Sequence, residues 1–412
     1  MRTTCSAYST ALLFAVVAFL VGSCRPGDQF ARDILSHTAQ HPASLYESAG
    51  DGAFYTPFNL FVQPMEALIL VNIEQDPDSL YVGFEPQLFD DPAGGTGMLV
   101  IAYRADGRVD VYHQPGVHAA NNDYSIVGQG LAHLVERDMD DAYFSLNPVG
   151  IDLYFAFADI HGRSVAVSVR ENASRAARPF GLLAPLGSGT AKPPYLPVFL
   201  MHDFYFLRRK GTEYEVRIDG RSHKLDRLPL PLDRQRMLFT RYSPDPLIVG
   251  WNADKEGPLD VLASVGATLT LDGATYDLAL NDGHPEIASM RAGNERREVA
   301  IHFRPAFPNV ASLRDRARAE GRFVIAGDPT TGFISGTYTI ERTGRHIDIA
   351  IHPAGGWTPN ERRLTLRFIY TANRWFRTWP ADYEWTARIS RPEAAPPTIV
   401  SGWSRYTAAT TP

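Results

Sequence analysis

Cysteine is nearly absent from this chain. Its 412 residues include two, Cys5 and Cys24, both within the first 24 positions. A chain processed just before Cys24 keeps a single thiol at its own N-terminus. That excludes an intramolecular disulfide, a thiolate metal site and a buried catalytic cysteine. A membrane-spanning helix is excluded at the start of the chain as well. The opening apolar run, Ala11 to Val21, has eleven residues, and as a helix it rises about 16 Å, roughly half of a bilayer core. Basic charge is not in surplus. Lys and Arg total 40 against 46 Asp and Glu, a net charge of −6, which gives no reason to expect nucleic acid as a partner. Chemistry-bearing motifs are missing too. The sequence holds no His-Glu-x-x-His, no Gly-x-Ser-x-Gly and no Gly-x-x-x-x-Gly-Lys, so it points to no metal and no cofactor.

What is present at the N-terminus is informative. Arg2, a short polar stretch, the apolar run and then Gly22, Ser23 and Cys24 have the layout of a secretory signal. "VGSC", Val21 to Cys24, resembles the bacterial lipobox, in which cleavage precedes a cysteine that receives a diacylglycerol. The resemblance implies a lipoprotein signal peptide over residues 1–23, lipidation of Cys24, and a chain held at the cell envelope. Arg25 after the cysteine implies the outer membrane. Residues 24–49 then read as a tether, and 392–412, rich in Pro, Thr and Ala, as a weakly ordered tail.

Between these ends, short runs rich in Val, Ile, Phe, Tyr and Leu recur every ten residues or so, punctuated by Gly, Pro, Asn and Asp. Several alternate strictly. In "IDLYFAFADI", Ile151, Leu153, Phe155 and Phe157 share one face, and Asp152, Tyr154, Ala156 and Ala158 the other. Period-two alternation is the mark of an antiparallel strand with one face in a core. "RADGR" and "DIHGR" read as tight hairpin turns around Gly107 and Gly162. "RLPLPLDRQ", Arg227 to Gln235, reads as an extended linker. "VASLRDRARAEG", Val310 to Gly321, reads as a helix from its Ala/Arg/Leu composition and closing glycine, with its body near Leu313–Glu320. "RLTLRFIYT" reads as one more strand. The expected fold is all-β: a first domain over 50–228 and a second over 236–391, each a closed barrel or barrel-like sandwich, with one short helix in the second.

Two consecutive all-β halves that are secreted, aromatic-rich and free of internal cysteine resemble the tandem lipocalin-like secreted proteins, the group of hydroxyneurosporene synthase (carotenoid hydratase). The resemblance lies in the overall pattern over residues 50–391 and implies lipocalin-like barrels that enclose an apolar ligand.

The candidate site sits in "KPPYLPVFLMHDFYFLRRKGTEYEV", Lys192 to Val216. Large apolar residues occupy both faces of this strand, so both are covered, and His202, Asp203, Tyr205 and Arg208 are embedded among them. Together with Tyr195 they form the candidate ligand-binding set. Asp203 and Tyr205 are expected to face a barrel interior, with the loop from Pro179 to Pro194 across its mouth. Three functions fit this pattern. The first is an anchored lipoprotein that binds an apolar or amphipathic, lipid-like small molecule. The second is an enzyme on an apolar substrate, with Asp203 as a buried general acid. The third is a carbohydrate-binding or carbohydrate-processing surface protein.

Overall fold

The protein is described by a computed structural model covering residues 40–47, 53–139, 141–147, 150–173, 177–184, 190–262, 266–393 and 395–405. Cys24, the signal segment and most of the tether lie outside the described residues. The described residues include twenty-five strands and three short α-helices, and the fold is all-β. No helix among them is long and apolar enough to cross a membrane.

Alternation fixes the elements as the sequence implies. Along Gly150–Ala158, Ile151, Leu153 and Phe155 are fully buried, whereas Asp152, Tyr154 and Ala156 are half-buried and Ala158 is exposed. Gly162 takes φ +76° in the following turn, where its amide donates to the Asp159 carbonyl. This strand belongs to a five-stranded sheet in the order Arg221–His223, Thr212–Ile218, Ser164–Glu171, Gly150–Ala158, Tyr143–Asn147. Its apolar face packs on Ile69, Val71, Phe84, Val100 and Tyr112 of a larger sheet. The larger sheet runs Leu60–Gln63, Leu247–Trp251, Leu196–Arg208, Met237–Ser243, Ala67–Asn72, Tyr81–Asp91, Gly95–Arg104, Val109–His113, Leu131–Glu136, with Phe180–Ala184 added to Leu196–Arg208. The first half is therefore two sheets face to face.

Sheet pairing carries this first unit past the expected division. Met237–Ser243 pairs with Ala67–Asn72, and Leu247–Trp251 with Leu60–Gln63. Arg227 to Gln235 is a loop inside the unit, with Leu228 and Leu232 buried, rather than a linker. The second half is a ten-stranded antiparallel meander in the order Lys255–Pro258, Thr398–Arg405, Tyr383–Ser390, His346–Thr358, Phe333–Thr343, Arg318–Ala326, Glu298–Phe307, His284–Gly293, Ala274–Asn281, Thr268–Leu271. Its interior is filled by aromatic rings, and two of them come from the first half. Phe58 lies 4.6 Å from Phe307 and 5.6 Å from Trp385, and Trp251 lies 5.2 Å from Phe323, measured between ring centroids.

Several expectations are corrected here. No helix occupies Val310 to Gly321. Leu313 bridges to Tyr46, Arg316 takes φ +60°, and Arg318–Ala326 is a strand in which Ala319 pairs with Ile340. Helix propensity is a weak preference, and the unfilled edge of Phe333–Thr343 overrides it. Conversely, "RLTLRFIYT" is the helix Leu364–Ala372, followed by the short helix Arg374–Thr378. Part of the expected tail is built into the sheet: Thr398–Arg405 is a strand next to its edge, with Trp403 buried. The end of the expected tether is built in too, since Tyr46 is buried and its hydroxyl donates to Glu286 at 2.5 Å.

Candidate functional site

Strand Tyr81–Asp91 has one face in the sandwich core, through Phe84, and turns Glu85, Gln87 and Phe89 to the opposite side of the large sheet. The next strand adds Ile101 and Tyr103, since Glu85 is paired with Ile101. Above them runs a crossover. Val109–His113 and Leu131–Glu136 are parallel neighbours, so the chain between them must return over the sheet. It does so over this outer face, with the helix Asn121–Tyr124 and the buried side chains Tyr124, Ile126 and Val127. Between crossover and sheet lies a cavity of about 240 Å³. Phe61, Met65, Phe89, Ile101, Phe199 and Ile248 supply its apolar lining, and Glu85, Gln87, Gln63, His118, Asp123 and Tyr195 its polar groups.

Glu85 carries the electrostatics. It is 2% exposed. Gln87 Nε2 donates to its Oε1 at 2.9 Å, and the Tyr103 hydroxyl donates to its Oε2. Burial pushes the carboxyl above its ordinary range, while the hydrogen bonds from Tyr103 and Gln87 and the Arg241 guanidinium pull it partly back. Arg241 is itself engaged: it donates to Asn72 Oδ1 and to the Phe239 carbonyl, each at 2.8 Å, and stacks over the Phe239 ring. Burial also raises the Tyr103 hydroxyl. A second polar set stands on another wall. Gln63 Nε2 donates to Tyr195 Oη at 2.7 Å and to Asp123 Oδ1 at 3.2 Å, and burial raises the Asp123 carboxyl. A mostly apolar concavity with a few fixed polar groups is the usual make-up of a small-molecule site. In its protonated form the Glu85 carboxyl would both donate and accept a hydrogen bond.

Of the residues singled out in the sequence, Tyr195 lines this cavity. The others lie further along the same strand, away from it. Asp203 does not face a barrel interior: its side chain is 41% exposed and stands 3.8 Å from Arg297 of the second half. His202 is buried beside it, 3.5 Å from Asp203 and 3.6 Å from Asp245. Tyr205 stacks on Tyr242 at 5.2 Å. Arg208 is buried with Glu171 at 3.9 Å, so it is not the partner of Asp203. In the expected covering loop, Phe180–Ala184 is a strand paired with Leu196–Arg208, and residues 185–189 lie outside the described residues. The sequence did carry a signal for Glu85. In "SLYVGFEPQLF" an acid sits amid large apolar residues, a placement that costs energy unless the group is paired or used.

Compared with family models, with curated proteins and with solved structures, the chain matches none.

Proposed function

We propose that this protein binds an uncharged amphipathic small molecule in the cavity on the outer face of the large sheet. The apolar body of the ligand lies along Phe61, Met65, Phe199 and Ile248, and its hydroxyl or carbonyl end meets Glu85 and Gln87. One observation carries the reading: Glu85 is buried on the floor of an apolar cavity with its carboxyl held toward the neutral form. An isolated charge there is costly, whereas a neutral acid is a directional hydrogen-bonding group. The cavity lies just below the size range of drug-sized sites, which favours a compact or single-chain ligand. We include in the proposal that Cys24 carries a lipid and holds the binding unit at the outer membrane.

The raised carboxyl also supports a second reading, in which Glu85 in place of Asp203 is a general acid toward an apolar substrate. Native mass spectrometry of the gently extracted protein tests the binding reading. A co-purifying neutral mass should accompany the wild type and leave in Met65→Trp, which narrows the cavity. If the same mass stays on Met65→Trp, the ligand sits elsewhere. Glu85→Gln separates the two readings, because it should keep binding yet would abolish turnover. For the anchor, Cys24→Ser should release the chain to the soluble fraction or leave it unprocessed; a processed mutant that still partitions with membranes contradicts lipidation.

A further inference from the structure

The segment from Arg362 to Ala381 has a composition found nowhere else in the chain. It holds five arginines, at 362, 363, 367, 374 and 377, and no Asp or Glu, within a protein of net charge −6. It forms the helices Leu364–Ala372 and Arg374–Thr378. One side of the pair is fixed to the meander. Leu366 and Tyr370 are buried, and Trp357 packs on Tyr370 and Phe376 with ring centroids 5.0 and 5.6 Å apart. Arg363 ties the start of the first helix down through Glu361 and Asp233.

The opposite side is apolar and open. Leu364 and Phe368, one helical turn apart and so on one face, are 67% and 44% exposed, and Trp375 is 60% exposed. Arg362, Arg374 and Arg377, on or next to the same two helices, are exposed as well. Scattered exposed leucines need no explanation. A leucine, a phenylalanine and a tryptophan exposed on two consecutive helices that carry exposed arginines and are backed by a buried inner face do. Trp, Phe and Leu on one face with Arg at its borders is the make-up of a helix that lies in the plane of a lipid interface. The exposed arginines match an anionic lipid surface, and no acidic residue lies within the pair to oppose them.

We infer that this helical pair is a docking surface for an anionic bilayer, seating Phe368 and Trp375 at the headgroup–acyl boundary. The contact is independent of the cavity and of Cys24. It would orient the chain on the membrane, where a single N-terminal tether would leave it free to turn.

The six tryptophans make the test direct. Trp251, Trp357, Trp379, Trp385 and Trp403 are all buried, and Trp375 alone is exposed. The full chain is mixed with vesicles of phosphatidylcholine and phosphatidylglycerol, or of phosphatidylcholine alone, with brominated acyl chains as the quencher. Bromine quenching should appear on the anionic vesicles and vanish in Trp375→Phe. Arg374→Gln with Arg377→Gln should lower partitioning roughly twenty-five-fold, each arginine at an anionic surface contributing about a fivefold factor. All arms are run in the Cys24→Ser background, so that attachment through the N-terminus cannot mask the contribution of the helices. Three results overturn the inference: vesicle-bound protein with Trp375 unquenched, equal quenching on both lipids, or a Phe368→Ser and Trp375→Ser variant that alters self-association while leaving partitioning unchanged.

Discussion

Glu85 and His202 are both buried ionisable groups in the first half, and their environments push them in opposite senses. Burial raises Glu85 above its usual 4.5. Its neutral form is the one that suits the fold, so the associated stability is full below about pH 4.5 and is lost as pH rises through the raised value. Glu85→Gln should flatten that alkaline-side loss in a series of chemical denaturations at stepped pH, relative to wild type. Glu85→Ala should cost about 1–3 kcal/mol, because it strands the Tyr103 and Gln87 donors. An alkaline slope unchanged in Glu85→Gln would show that the carboxyl is already ionised in the folded protein.

His202 is lowered from 6.5, first by burial and then by the Arg297 charge, with Asp203, Asp245 and Asp328 acting the other way. Its stabilising contribution is present above pH 6.5 and is lost as pH falls through the lowered value. His202→Gln should reduce the acid-side slope that sets in below pH 6.5 in the same denaturation series. An identical slope in the variant would remove His202 as its source.

At the scale of elements, the helix Leu364–Ala372 is held by little more than its inner face. Leu366→Ala should cost about 2–5 kcal/mol if the pair unfolds with the meander. If the pair detaches locally, the global loss should be smaller and Trp357 should become quenchable by acrylamide. This element also shows where the sequence could be read and where it misled. Strand Gly150–Ala158 was legible, because one face is core and the other meets solvent, so burial follows the period of two. "RLTLRFIYT" alternates in the same way through Leu364, Leu366, Phe368 and Tyr370. Here, however, the exposed apolar face of a helix supplies half of the pattern, and hydrophobicity alone cannot tell an outward Phe368 from an inward one. Arg318–Ala326 failed in the other direction: helix-forming residues pair as a strand because Phe333–Thr343 offers an edge to fill. The cavity was legible only in part. Tyr195 was recognised, but the crossover that makes a pocket out of a sheet face depends on a parallel pairing between Val109–His113 and Leu131–Glu136 that no local pattern announces.

For the whole molecule, the two halves share one aromatic core. Phe58 and Trp251 come from the first half and are packed among Phe303, Phe307, Phe323 and Trp385 of the second. These rings pack with aliphatic side chains in the core of the second half, and the proposed site lies elsewhere, on the outer face of the first sheet. Phe58→Ala should cost about 3–5 kcal/mol and should destabilise both halves in one transition. Two separated transitions in calorimetry, with only one displaced, would mean that the halves fold independently.

The proposed binding site is tested most directly by calorimetric titration of a medium-chain alcohol, with the alkane of equal length as control, into wild type, Met65→Trp and Glu85→Ala. Saturable one-site binding of the alcohol to wild type is expected, with its loss in Met65→Trp and loss of the preference for alcohol over alkane in Glu85→Ala. Alcohol binding that survives Met65→Trp undiminished, or a preference for the alcohol that persists in Glu85→Ala, would contradict it.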